Sequence, residues 1–366
     1  MNVLIVRLGA LGDIVHTVPA AAALRAAYPD ARIDWLVDAK HRPLVDLVTC
    51  VDRSIALERP TLAGWADVVR TMRQVRYDWA VDFQGLLKSA VLARASGAPR
   101  VVGFSIWHLR EKGAWPFYTA TGGEAPSRED EDALRRNPPP REDQDALRRG
   151  SPSREDPLRR NRQEEHVIRK NLRLLQTLGI DAEQITFPLA HVESAAVEDI
   201  RATLAGRPFA LINPGAAWPN KRWPPERFGQ VAAFLRDVRQ LRSFVLWGPG
   251  EEALAQSVVD ASDGAAERAP STSLTDLLAL CRAAALMVSG DTGPLHIATA
   301  TGTPTVSIFG PTDPDRNGPW DPHDLAVSRF ASCRCHYLRR CRESAWCLAG
   351  IPSSEVTAAV QQRLQP

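Results

Sequence analysis

Short runs of apolar residues recur early in the chain: Val3 to Val6, Ile33 to Val37, Trp79 to Val81 and Val101 to Gly103. They lack the polar alternation of a half-exposed strand, and near-continuous apolar runs of this length suit strands buried on both faces of a parallel sheet. Between them, apolar positions return at helical spacing, as in Val15, Val18, Ala22 and Leu24. A second series follows residue 205, with strands expected at Phe209 to Ile212, Phe244 to Trp247, Leu286 to Val288 and Thr305 to Phe309. It alternates with helix-like segments at Glu226 to Arg236 and Leu274 to Arg282. This rhythm predicts an α/β protein of two doubly wound, Rossmann-like domains whose strand C-terminal ends face a central cleft.

The expected division is 1–180 for the first domain, 181–350 for the second, and 351–366 for a terminal helix returning to pack on the first. Residues 124–165 break the pattern. Within them Arg-Glu-Asp recurs at 128, 141 and 154, each time followed by Leu-Arg-Arg, a period of 13. A unit with one leucine cannot bury a core, and its interleaved charges and prolines predict a solvated, disordered insertion.

Composition narrows the class. Hydrophobic residues at 44% and charged residues at 24% describe a globular chain with sizeable cores. A net charge of +2 supplies no global field for nucleic acid or an anionic surface, so no nucleic-acid partner is expected. No apolar run approaches the roughly 18 residues of a spanning helix, so neither a signal peptide nor an anchor is expected. Six cysteines in 366 residues suit a reducing, cytoplasmic setting. Lysine occurs only at 40, 88, 112, 170 and 221, which makes each one informative in an arginine-dominated chain.

Four segments carry candidate chemistry. After the first strand, Gly9-Ala10-Leu11-Gly12-Asp13 makes a glycine turn into a helix, where backbone N–H groups meet an anion or a close substrate. It matches neither the dinucleotide nor the P-loop fingerprint. On spacing alone Asp13 reads first as a helix-capping or dipole-complementing carboxylate. Lys221, beside Asn213-Pro214-Gly215, reads as a phosphate contact or a solvated loop charge. Glu252, after Trp247-Gly248-Pro249-Gly250, stands where a ribose could be hydrogen-bonded, or merely opens a helix. In Ser289-Gly290-Asp291-Thr292-Gly293-Pro294-Leu295-His296, the N–H groups of Thr292, Gly293 and Leu295 suit a pyrophosphate without a metal. There Asp291 would repel a phosphate, so a sugar hydroxyl or a bracing role suits it better, and His296 either reaches the phosphates or is a satisfied helix histidine. Cys333, Cys335, Cys341 and Cys347 lack the paired knuckles of common zinc sites. Zinc, plain thiols and a disulfide stay open there, and no metal is assigned.

Together with Asp82-Phe83-Gln84-Gly85-Leu86-Leu87-Lys88-Ser89 and Lys221-Arg222-Trp223-Pro224, these motifs resemble the lipopolysaccharide heptosyltransferases of glycosyltransferase family 9, over nearly the whole chain outside 124–165. Gln84 to Leu86, Lys88 to Ala90 and Arg110 through Tyr118 look most like the heptosyltransferase I branch. The resemblance implies a GT-B fold, an ADP-heptose donor, a Kdo-lipid A acceptor at the inner face of the cytoplasmic membrane, and metal-independent transfer with inversion. No cofactor is expected, and the chain is expected to be a monomer. It puts Asp13 on the general base, Lys221 on the donor-phosphate lysine, and Glu252 on the ribose carboxylate. Asp291, Thr292, Gly293 and His296 fall on the donor side, and Gly12, Gln84, Lys88 and Arg110 on the acceptor side. Competing expectations for the same architecture are a family transferase with another heptose acceptor, a nucleotide-sugar epimerase, and a non-catalytic nucleotide-sugar-binding protein.

Overall fold

The computed structural model describes residues 1–59, 61–122, 165–341, 343 and 346–365; apart from Glu165, the repeat insertion lies outside them. Two six-stranded parallel sheets organise the chain. The first comprises β1 (Asn2–Val6), β2 (Arg32–Asp38), β3 (Arg53–Leu57), β4 (Trp79–Asp82), β5 (Arg100–Phe104) and β6 (Ala120–Gly122), in the order 3-2-1-4-5-6. The second comprises β7 (Phe209–Asn213), β8 (Arg242–Val245), β9 (Ala266–Arg268), β10 (Leu286–Gly290), β11 (Thr305–Phe309) and β12 (Leu325–Ser328), in the order 9-8-7-10-11-12. The winding is therefore the same in both halves, and the GT-B expectation holds.

The first half carries helices α1 (Leu11–Val15), α2 (Val18–Ala27), α3 (Arg42–Val45), α4 (Leu62–Met72), α5 (Leu87–Ala95) and α6 (Val167–Leu174). The second carries α7 (Ala195–Thr203), α8 (Pro225–Arg239), α9 (Glu252–Asp260), α10 (Leu274–Ala283), α11 (Gly293–Ala300), α12 (Pro314–Asn317) and α13 (Ser353–Arg363). Among the described residues no helix is long and apolar enough to cross a membrane.

Both strand faces are covered, which is why the runs Val3 to Val6 and Ile33 to Val37 are apolar apart from the buried Asp34 of β2. Val3, Ile5, Ile33 and Trp35 enter one core cluster while Leu4, Val6 and Leu36 enter another, and all seven are fully buried. Strand order reverses between adjacent β1 and β4, with Val6 opposite Asp82, and between β7 and β10, with Asn213 opposite Ser289. A crevice opens outside the strand ends at each of these points. The halves are stitched by the segment before α7, where Thr49 donates its N–H to Pro188 O at 2.9 Å and Ala190 N–H bonds Leu47 O at 2.8 Å. Arg282 from α10 also donates to Ala190 O, at 2.9 Å.

One expectation is corrected. Helix α13 does not pack on the first half: Val356 and Val360 are fully buried with Val306 and Ile308 in the second-half core, and Arg363 pairs with Asp324 at 2.8 Å. One helical turn apart, the two valines form a stripe that the outer face of β11 covers, so the helix closes the sheet it follows.

Candidate active site

At the end of β1 the chain turns sharply and α1 begins at Leu11, which places Asp13 in the first helical turn. Its Oδ2 accepts the Ala10 N–H at 3.2 Å and lies 2.7 Å from Arg7 Nη2. The capping reading of Asp13 is therefore met, yet its side chain is 43% exposed and open to a substrate. Gln84 stands beside this turn and accepts the Leu8 N–H through Oε1 at 2.7 Å. Asp82, at the end of β4, is fully buried and receives the Gln84 N–H, the Ser89 hydroxyl and the Tyr118 hydroxyl, each at 2.8 Å. Burial pushes its carboxyl upward against these donors. The Asp82 to Ser89 motif is thus a braced turn that supports the β1–α1 loop.

In the second half, Lys221 closes a short 3₁₀ turn, Pro219–Lys221. Its Nζ lies 2.5 Å from Asp291 Oδ2 and 4.6 Å from the centre of the Trp218 ring. Asp291, just past β10, also accepts from Thr312 Oγ1 at 2.6 Å, and His296 Nε2 stands 3.3 Å from Oδ1. Burial alone would raise the Asp291 carboxyl. The hydrogen bond from His296 and the positive Lys221 outweigh it and hold the group well below the usual carboxylate range. The apparent conflict between a carboxylate and a phosphate site disappears, because the charge is already paired. Thr292 Oγ1 receives Asn213 Nδ2 at 2.8 Å, and the same amide bonds Ser289 Oγ at 3.0 Å. Asn213, inconspicuous in sequence, fixes the loop that leads into α11.

The two half-sites touch. A Cβ on Gly12 would lie 2.3 Å from His296 Cδ2, and one on Gly293 would lie 2.5 Å from Leu11 Cδ2. The first turns of α1 and α11 therefore approach through a glycine on each side. His296 Nδ1 is buried without a hydrogen-bond partner among the described residues, so its ring serves the junction as well as Asp291. His16 packs on His296 with ring centres 4.4 Å apart, and His166 lies 5.8 Å from His16. Burial, then the neighbouring His296 and His166, hold the His16 imidazole well below its ordinary value, and burial chiefly lowers His166 as well. Neither histidine stands out in sequence, since they come from separate segments.

The remaining candidates are scattered. Lys88 and Arg110 are exposed, and the loop bearing Arg110 is tied to the start of α5 by Glu111, whose Oε2 accepts the Leu87 N–H at 2.8 Å. Glu252 is exposed as the first residue of α9. Glu251 is turned into the crevice, accepting the Gly248 N–H at 3.2 Å, and a Cβ on Gly215 would meet its Oε2 at 2.2 Å. Cys335 and Cys341 bring their sulfurs to 2.8 Å, and burial with the neighbouring Cys333 pushes the Cys347 thiol up to about 12. Among the described residues no group of three or more His, Cys, Asp or Glu is arranged to hold a metal ion. This cysteine loop flanks Lys221, with Leu338 O accepting from Asn220 Nδ2 at 2.8 Å and Trp346 Nε1 donating to Arg222 O at 3.1 Å.

Two doubly wound parallel sheets of the same strand order, each with its own switch point, give the GT-B architecture. The chain belongs to glycosyltransferase family 9 (heptosyltransferase), whose model matches residues 65–129 and 139–346. It is 28% identical to lipopolysaccharide heptosyltransferase 1 of Pseudomonas aeruginosa over 343 residues, covering 91% of this chain and 85% of that one. It is 25% identical to lipopolysaccharide heptosyltransferase 3 of Escherichia coli over 370 residues, covering 96% of each. Its fold matches that of E. coli heptosyltransferase WaaC with ADP at a TM-score of 0.71 and 20% identity, over 99% of this chain and all of that one.

Proposed function

We propose that this glycosyltransferase moves heptose from an ADP-heptose donor to a Kdo residue of Kdo-lipid A during inner-core lipopolysaccharide synthesis, with inversion and without a metal ion. The observation that carries this reading is the contact of α1 with α11. It brings the exposed carboxylate of Asp13 and the anion-favouring start of α11, with Lys221 beside it, to one cleft. The names of the relatives support the sugar and the pathway.

Asp13 takes the proton of the acceptor hydroxyl as its oxygen attacks the anomeric carbon from the side opposite the leaving group. The bond from that carbon to the β-phosphate oxygen breaks, and ADP leaves with the electron pair. Lys221 and the N–H groups of Thr292, Gly293 and Leu295 meet the charge that develops on the phosphate. We assign Glu251, rather than Glu252, to the donor side, and Gln84, Lys88 and Arg110 to the acceptor side. The protein works as a monomer at the cytoplasmic face of the inner membrane.

Asp13→Asn is expected to lower kcat by about 10² to 10⁴, the usual scale for a general base, with ADP affinity by calorimetry unchanged. A chelator should leave turnover intact. Near-normal turnover of a folded Asp13→Asn protein refutes the base. Mass spectrometry of the product made on Kdo-lipid A, against a heptosylated core acceptor, separates transfer to Kdo from the heptosyltransferase 3 alternative.

A further inference from the structure

We infer that Arg7 is the positioning residue for Asp13, an inference that rests on Asp13 being the base. Arg7 directly follows β1 and is only 8% exposed. Its backbone is locked twice: its N–H bonds Leu36 O at 3.1 Å, and its carbonyl accepts Trp35 Nε1 at 3.2 Å. Its guanidinium is held from behind, Nη1 donating to Phe83 O, while Nη2 lies 2.7 Å from Asp13 Oδ2. The Ala10 N–H ends on that same Oδ2, at 3.2 Å.

Both donors thus converge on one carboxylate oxygen. Oδ1 has no hydrogen bond to the described residues and belongs to the exposed part of the side chain, 43% for Asp13 against 10% for Arg7. A carboxylate on a short, freely rotating stem would present either oxygen in several rotamers. Pinning Oδ2 to a rigid fork leaves Oδ1 as the single proton acceptor in a single direction, the pre-organisation that a proton transfer at hydrogen-bond distance needs. The planar guanidinium fits this task better than an ammonium would, because one nitrogen anchors on the Phe83 carbonyl while the other engages Asp13. Arg7 Nε is buried without a partner, and among the described residues Asp13 is the one carboxylate paired with this buried cation. The two groups therefore depend on each other.

The test is a double-mutant cycle in the full-length enzyme, under single-turnover conditions with excess enzyme so that slow variants stay measurable. Arg7→Gln should lower kcat by about 10- to 100-fold, the cost of a misplaced catalytic group, with KM for the donor within about two-fold. Arg7→Lys should fall between Gln and the parent, and it decides the matter if the glutamine variant fails to fold. In an Asp13→Asn background, Arg7→Gln should cost nothing further, because the group it positions no longer takes a proton. An equal loss in both backgrounds, a change in KM alone, or a lysine variant no better than glutamine overturns the inference. Normal turnover of Arg7→Gln beside an inactive Asp13→Asn overturns it while leaving the base standing. An active Asp13→Asn removes both.

Discussion

Lys221→Ala tests the Lys221–Asp291 pair without a substrate, because its first effect falls on folding. The Lys221 and Asp291 side chains are 15% and 5% exposed, with Nζ to Oδ2 at 2.5 Å. Truncation leaves the carboxylate buried with the Thr312 hydroxyl at 2.6 Å and the His296 ring at 3.3 Å as its remaining partners. Breaking a buried ion pair from one side costs about 3–5 kcal/mol, and the two surviving contacts place this case at the lower end, about 3 kcal/mol. At about 2–4 °C per kcal/mol for a unit of the second half's size, that is a fall in Tm of about 6–12 °C. Adding Asp291→Asn removes the stranded charge and keeps an acceptor for Thr312, so the double variant should regain about half of the loss. Differential scanning calorimetry of the three proteins without ligand measures both steps. Calorimetric titration of the single variant should show ADP binding weaker by about 1.5–3 kcal/mol, the scale of a charged hydrogen bond. A Tm within about 2 °C of the parent, or a double variant less stable than Lys221→Ala, would refute the account of Asp291 as a charge kept buried by Lys221.

Two further outcomes concern the junction between the halves. Gly12→Ala forces a methyl to within 2.3 Å of His296 Cδ2, so overpacking should cost about 1–3 kcal/mol in Tm-derived stability and lower kcat, and His296→Ala in the same chain should restore part of the stability; an unchanged Gly12→Ala protein would show that the helices do not touch. Because burial holds His16 and His166 below their ordinary values, the unfolded chain takes up protons near pH 6.5 that the folded chain refuses. Stability is then full above about pH 7.5 and falls below about pH 6.5, by up to about 1.4 kcal/mol per pH unit for each such histidine. His16→Gln should flatten Tm against pH between about 6.5 and 5, and equal slopes in the two proteins would count against the buried cluster.

What the sequence discloses here is what a single strand or turn needs locally. The central strands β1 and β7 are legible because burial on both faces demands unbroken apolar runs, and Asn2–Val6 and Phe209–Asn213 supply them. Edge strands are not: β3 is only partly buried along its length, and β9 has three residues, so their extended form comes from pairing with β2 and β8. Glu251 and Glu252 differ by where α9 begins, a choice finer than composition can make.

The larger omission concerns partners. Asp291 reads in isolation as a carboxylate repelling a phosphate, and Lys221 as an unpaired point charge; the ion pair that reconciles them spans 70 residues and has no local signature. His16 and Asn213 owe their places to the same cause, since each acts on a residue from another segment. Gly12 is the plainest case. Taken from sequence it is an acceptor-side glycine, yet its missing side chain also makes room for His296 of the opposite half. The two halves are thus in mechanical contact through Gly12 and Gly293, and under the proposed function a substitution at either glycine is expected to register on both substrates. Only paired substitutions across Gly12 and His296, or Leu11 and Gly293, can separate a lost substrate contact from a disturbed apposition of the two helices.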